Sequence, residues 1–125
     1  MKVLKFGGSS VGTGERISRV ASLVKAAAET DRIAVVLSAM QGTTDRLIEA
    51  GRLAEAGDDG FLEKIHEIEL QTETAVSSAF TDYVPVELSV FIEHAIDEVE
   101  SICEGVRRVG ELSGRTLDRI LSFGE

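Results

Sequence analysis

A lysine, two adjacent glycines and two serines stand together near the start of the chain, in the segment Lys5-Phe6-Gly7-Gly8-Ser9-Ser10-Val11-Gly12. Glycines let backbone N–H groups approach an anion because no Cβ atom stands in the way. The lysine adds a mobile positive charge, and the start of a following helix adds the positive end of its dipole. The segment therefore predicts a site for a polyanionic phosphate group. A plain strand-to-helix turn with a solvated lysine is the alternative, and it predicts no affinity for anions.

The glycine-rich segment differs from the two best-known phosphate-binding motifs. No Gly-Lys-Ser/Thr sequence follows it at the spacing of a Walker A loop, and the pattern G-x-G-x-x-G is absent. Any phosphate site here must therefore be of another kind.

The elements around this segment form a predicted β-α-β unit. Residues 3–6 are typical of a strand, a helix with apolar residues at 3.6-residue spacing begins near Glu15, and the apolar run Ile33–Leu37 is typical of a strand buried on both faces. Such a crossover places two parallel strands side by side. We therefore expect Lys5 and Ser38 to leave the sheet at the same edge, where ligands of open α/β sheets bind.

The rest of the chain predicts helices. After Ser38 comes a second loop, and we expect Thr43 or Thr44 to cap the helix that follows it. Periodic apolar residues predict further helices over residues 61–79, from Pro85 to about residue 109, and after Ser113, which suits an N-cap.

Length and charge narrow the possible functions. The chain has 125 residues, 43% of them hydrophobic, and a formal net charge of -9. This composition predicts one folded domain and argues against nucleic acid or an anionic membrane as the main partner. Phosphate must then be bound by local donors, aided by Mg²⁺. The single cysteine, Cys103, fits a helical core position and a reducing, cytoplasmic compartment, and the immediate start of a strand leaves no room for a signal peptide.

The predicted architecture is α/β and looks incomplete. Two strands followed by some eighty residues of helix do not make a self-sufficient parallel sheet, because such sheets need neighbours and cover. We expect residues 1–125 to be part of a larger domain with further strands. A helical domain that carries one β-α-β appendage is the alternative.

Three segments together resemble the aspartate kinases (aspartokinases) of the amino-acid kinase superfamily. The first is the lysine-glycine segment, where the family usually has threonine at the position of Ser9. The second runs from Val35 to Asp45, and the third runs from Gly110 through Glu125. The segments occur in the family's order and cover the whole chain.

The resemblance implies a fold and a reaction. The fold would be the N-terminal half of a parallel-sheet α/β/α sandwich that is helix-rich after its first β-α-β unit, with the rest of the kinase domain and ACT regulatory domains absent. The reaction would be the ATP-dependent phosphorylation of the β-carboxylate of L-aspartate to 4-phospho-L-aspartate, the first step of the lysine, threonine and methionine branch of amino-acid biosynthesis. A lone chain of this length would lack turnover. Family members usually form homo-oligomers.

The resemblance also assigns roles to residues of this chain. The ATP phosphates would be bound by Lys5 and the backbone of Gly7, Gly8 and Ser9, and L-aspartate would be bound by Ser38, Thr44 and Glu125. ATP and Mg²⁺ would be the cofactors, and no metal ligand is assigned within the chain. Local roles are the alternatives: Ser38 and Thr44 could only cap or cross-bond their loop, and Glu125 could be an ordinary surface carboxylate.

Two other functions are compatible with the same residues. Kinases of glutamate, acetylglutamate, carbamate or UMP share the glycine loop, although the second and third segments argue against them. A non-catalytic binding module is the other possibility, and it gains weight only for a chain that is complete at Glu125.

Overall fold

The computed structural model describes all 125 residues as two strands, one short 3-10 helix and five α-helices. Their order along the chain alternates strand and helix only at the start and is helical from residue 43 onward. The elements are β1 (Lys2–Phe6), a 3-10 turn (Gly8–Val11), α1 (Gly14–Ala28), β2 (Ile33–Leu37), α2 (Thr43–Glu55), α3 (Phe61–Ala79), α4 (Val86–Val109) and α5 (Gly114–Ser122).

The two strands form a parallel pair, as the β-α-β pattern predicts. Phe6 lies opposite Leu37 in the register, and the N–H of Ser38 donates to the carbonyl of Phe6 at 3.1 Å. The chain therefore leaves both strands at the same edge, side by side. The prediction of an α/β fold with a helix-rich second part is confirmed.

The hydrophobic core lies among the helices and not beneath the sheet. Its ten buried members come from α2, α3, α4 and α5, and Phe61 is among the largest of them. Cys103 on α4 belongs to this cluster with no exposed surface, which confirms its prediction as a core residue. None of the helices is both long and apolar enough to cross a membrane.

The expectation that β2 is buried on both faces is wrong. Val35, Val36 and Leu37 are 38%, 48% and 53% exposed. The sheet has only two strands, and within this chain α1 is the helix that packs on β2, so apolar side chains remain open to solvent. The apolar run correctly indicates a strand, but the elements within these 125 residues do not bury both of its faces.

The capping prediction for α2 is also wrong, whereas that for α5 is confirmed. Gly42 is the N-cap of α2, with a φ of 84° and no side-chain hydrogen bond, and Thr43 is already helical and buried. At α5, the hydroxyl of Ser113 accepts from the N–H of Thr116 at 3.1 Å. Similarly, Thr13 caps α1 by accepting from the N–H of Arg16 at 3.3 Å.

A substitution at Gly14 tests the packing of α1 on α3, and Gly105 on α4 offers a control. A Cβ atom at Gly14 would overlap the carbonyl of Ala75 and lie 2.6 Å from the Cβ of Ser78, whereas a Cβ at Gly105 would meet nothing within 4 Å. We predict that Gly14→Ala lowers the free energy of unfolding by about 1–3 kcal/mol through overpacking. We predict that Gly105→Ala, in the exposed interior of α4, raises it by about 0.5–1 kcal/mol. Urea unfolding of both variants measures the difference, and an equal response would contradict this packing.

Burial also determines the chemistry of Cys103. Desolvation, with a smaller contribution from the charge of Glu100, raises the pKa of the Cys103 thiol to about 11. A raised pKa means less thiolate at any given pH, and the thiolate is the reactive form. We predict that the folded chain reacts with an aromatic disulfide reagent at pH 8 about a hundredfold more slowly than the chain in urea. Equally fast labelling of the two forms would show that Cys103 is accessible.

Candidate functional site

The glycine loop, defined here as residues 7–12, carries several backbone donors without partners. The N–H of Ser10 donates to the carbonyl of Gly7 at 2.9 Å, which closes the short 3-10 turn. The N–H groups of Gly7, Gly8 and Ser9 have no partner among the loop hydrogen bonds, since Gly8 and Ser9 begin the turn and have no acceptor within it. These three groups are free to bind an acceptor from outside the chain.

The ammonium group of Lys5 lies beside this loop. Its Nζ atom is 3.6 Å from the position that a Cβ would take at Gly7. Lys5 is exposed and has no carboxylate within ion-pair distance, in contrast to Lys2 at the other end of β1, which lies 3.6 Å from Asp31. The loop donors and an unpaired cation are therefore brought together, as the sequence predicts.

Gly8 brings the glycine loop into contact with the second loop, defined here as residues 38–42. A Cβ at Gly8 would lie 3.1 Å from the carbonyl oxygen of Ala39 and 3.5 Å from the Cα of Gln41. The missing side chain thus allows the two backbones to touch. A larger residue at position 8 would push the loops apart at the edge of the sheet where both begin.

Arg16 adds a second cation that the sequence reasoning missed. Its Nη1 atom donates to the carbonyl of Ser9 at 2.7 Å, so a side chain from the first turn of α1 fixes the glycine loop. The arginine has no acidic partner within 4.0 Å, and none of the ion pairs of the chain includes it. The only local signal is a basic residue one turn after the loop, which is too common to indicate such a contact.

The start of α2 supplies further free donors at the same edge of the sheet. The N–H of Thr43 donates to the carbonyl of Met40 at 3.1 Å and that of Arg46 to the carbonyl of Gly42 at 3.2 Å. No side chain caps the helix, so the N–H groups of Thr44 and Asp45 between them have no acceptor. The side chain of Thr44 is exposed here, whereas that of its neighbour Thr43 is buried.

Ser38 and Glu125 line one cavity of about 460 Å³ between α1, the end of β2 and the end of the chain. They are its only polar side chains, and its other walls are mainly apolar residues of α1 and β2. Thr44 does not line this cavity. The preceding residue, Gly124, packs against the start of α2, since a Cβ there would lie 3.2 Å from the Cγ2 of Thr43. The structure thus brings Ser38 and Glu125 together and leaves Thr44 at a neighbouring exposed position.

The chain gathers no group of three or more His, Cys, Asp or Glu side chains that could hold a metal ion. The residues of the two loops do not form a Mg²⁺ site of their own.

Comparisons with known proteins give a consistent result. The model of the amino acid kinase family matches residues 1–125. Curated relatives include Aspartokinase 3, chloroplastic, of Arabidopsis thaliana, which is 37% identical over 98% of this chain and 21% of its own length. Another is an aspartokinase of Candida albicans, which is 35% identical over 98% of this chain and 23% of its own length. The chain thus spans about a fifth of the length of the curated relatives that it matches.

A solved structure matches the whole chain. The crystal structure of E. coli aspartokinase III in complex with aspartate and ADP has a TM-score of 0.81 and 27% sequence identity. The match covers 100% of this chain and 26% of that one. The arrangement of strands, loops and helices is therefore similar to the corresponding quarter of that protein.

Proposed function

The chain belongs to the amino acid kinase family, and from this premise we propose that the protein transfers the γ-phosphoryl group of ATP to the β-carboxylate of L-aspartate. The product would be 4-phospho-L-aspartate. One observation carries the proposal: free N–H groups of Gly7, Gly8 and Ser9 and the unpaired ammonium of Lys5 meet at the edge where both parallel strands end.

The comparisons support aspartate as the acceptor. The curated relatives described above are aspartokinases, and the similar solved structure is an aspartokinase bound to aspartate and ADP. Because the chain spans about a fifth of those relatives' length, the activity, substrates and partners of the whole protein are part of this proposal. A place at the start of lysine, threonine and methionine biosynthesis belongs to it as well.

The proposed reaction does not require a general base. A carboxylate is already ionised at neutral pH and can act directly as the nucleophile. Its oxygen would form a bond to the γ-phosphorus while the bond from that phosphorus to the β,γ-bridging oxygen breaks, so that ADP leaves with the electron pair. The protein must therefore hold two anions in line and offset the charge of the transferred group.

We assign the role of offsetting the negative charge of the transferred group to Lys5 and the glycine loop. The loop amides would donate to phosphate oxygens, and the Lys5 ammonium would follow the phosphate as the bond to ADP breaks. Arg16 would keep the loop in place through its 2.7 Å contact with the carbonyl of Ser9. Mg²⁺ as a cofactor stays a prediction, and these residues form no group of their own that could hold it.

Aspartate would be bound on the second-loop side of the site. Ser38 and Glu125 line one cavity, and the Glu125 carboxylate has the charge needed for the substrate ammonium. The free N–H groups at the start of α2, next to Thr44, would suit a substrate carboxylate. The role of Thr44 itself stays a prediction, because its side chain does not line the cavity of Ser38 and Glu125.

We also propose that residues 1–125 are the N-terminal portion of an amino-acid kinase domain. The exposed side chain of Val36 on β2 supports this, because it lies outside the cavity of Ser38 and Glu125 and further strands and helices would cover it. A cytoplasmic location and homo-oligomers stay predictions.

A substitution at Lys5 tests the phosphate role. In the full-length protein, Lys5→Ala should lower kcat by about 10²–10³-fold, the usual cost of removing one preorganised donor to the transition state. Lys25→Ala is the matched control, because Lys25 is an exposed lysine in the last turn of α1. Steady-state assays of aspartate-dependent ADP release give both values. Near-normal turnover of Lys5→Ala would refute the assignment.

A panel of acceptors tests the reaction itself. ADP release by the full-length protein should be measured with L-aspartate, L-glutamate, N-acetyl-L-glutamate, carbamate and UMP. We expect kcat/KM for aspartate to exceed that for glutamate by about 10- to 200-fold, the discrimination that one methylene allows. Preference for another acceptor would identify a different kinase of the family, and no ADP release with any of them would favour a binding module.

A further inference from the structure

The second loop has few anchors of its own. At its ends, Ser38 is hydrogen-bonded to Phe6, and the N–H of Thr43 donates to the carbonyl of Met40. Its last residue, Gly42, has a φ of 84° and cannot contribute a side-chain cap. The backbone between these points must be held by contacts from other elements.

One such contact comes from α3, thirty residues along the chain. The Nε2 group of Gln71 donates to the carbonyl oxygen of Gln41 at 3.0 Å. The Oε1 atom of Gln71 accepts from Nη1 of Arg46 on α2, also at 3.0 Å. Because a guanidinium group has only donors, it fixes which end of the amide is oxygen and directs the amide NH₂ toward the loop. Gln71 thus links the loop to α2 through a defined orientation.

Arg46 is held in turn by the carboxylate of Glu67 on α3, which Lys64 also contacts. Its Nε atom lies 3.0 Å from Oε2 of Glu67, and Nζ of Lys64 lies 3.2 Å from Oε1 of the same carboxylate. A Cβ at Gly42 would lie 2.7 Å from Nη1 of Arg46, so the glycine also makes room for the guanidinium. Hydrogen bonds from Lys64 and then Arg46 lower the pKa of Glu67, so its carboxylate stays ionised at neutral pH.

We propose that Gln71 is a positioning residue for the amino-acid substrate, acting through the carbonyl of Gln41. Its amide fixes the second loop, and the loop fixes Ser38 and the free N–H groups that begin α2. Gln71 does not line the cavity of Ser38 and Glu125, so its effect on the substrate would be indirect. The link to aspartate rests on the proposed function, whereas the effect on the loop does not.

Two substitutions separate the loop contact from the contact with Arg46. Gln71→Leu removes both hydrogen bonds. Gln71→Glu keeps an acceptor for Arg46 but loses the donor to Gln41. Glu73→Gln is the matched control, because the side chain of Glu73 on α3 is exposed and makes no hydrogen bond or ion pair. Thermal unfolding of each full-length variant establishes that it is folded before the other measurements.

Hydrogen exchange of the full-length protein reports on the loop without reference to activity. We expect faster amide exchange over residues 38–45 in Gln71→Leu and in Gln71→Glu, and exchange like the unmodified protein in Glu73→Gln. Unchanged exchange in both Gln71 variants would overturn the proposal. Faster exchange in Gln71→Leu alone would also overturn it, because that result assigns the effect to the contact with Arg46.

Steady-state kinetics of the Gln71 variants test the proposed effect on aspartate binding. We expect both Gln71 variants to raise KM for aspartate about three- to tenfold, the effect of one lost hydrogen bond, with KM for ATP changed less than about twofold. An active enzyme with faster loop exchange and an unchanged KM for aspartate would overturn the link to the substrate. If the unmodified protein does not phosphorylate aspartate, the proposed function fails while faster exchange still supports the control of the loop by Gln71.

Discussion

The contact between two backbones at the end of the parallel strands determines the rest of the site. Phe6 and Leu37 are opposite each other, the N–H of Ser38 donates to the carbonyl of Phe6, and Gly8 approaches the carbonyl of Ala39. A register shift of one residue would turn every following side chain to the other face of the sheet. A side chain at position 8 would separate the loops. Both donor sets therefore lie at the same edge of the sheet because a parallel register and a glycine occur together.

The helical core acts as the support for this edge. The ten residues of the core belong to α2 through α5, while the strands remain largely exposed. Helix α3 contributes to both sides of the site, since it packs against Gly14 at the start of α1 and bonds to the second loop through Gln71. The loops thus stand on helices that are well packed, although the sheet from which they extend is small. Displacing α3 would move both loops.

The sequence predicts those parts of the molecule that depend on local chemistry. Apolar spacing predicts α3 over residues 61–79 as observed, and Ser113 is a true N-cap because its hydroxyl can reach the N–H three residues on. Local patterns fail where the outcome depends on distant residues. The apolar run of β2 carries no information on which neighbours cover it. Thr43 is of a residue type that favours N-caps, but its side chain is buried against Gly124, which lies more than eighty residues away.

The candidate site shows the same division. Lys5 and the glycines are adjacent in sequence, so their proximity in the structure could be predicted. The contacts that hold the loops come from Arg16 and Gln71, and no spacing rule connects Gln71 with Gln41. The charge of the whole chain also differs in its effect from the charges within the site. A chain with a net charge of -9 repels phosphate at long range, but screening limits that repulsion to about 10 Å. Within the proposed site, the donors and two unpaired cations would meet a phosphate at contact distance, so we expect local geometry to outweigh total charge.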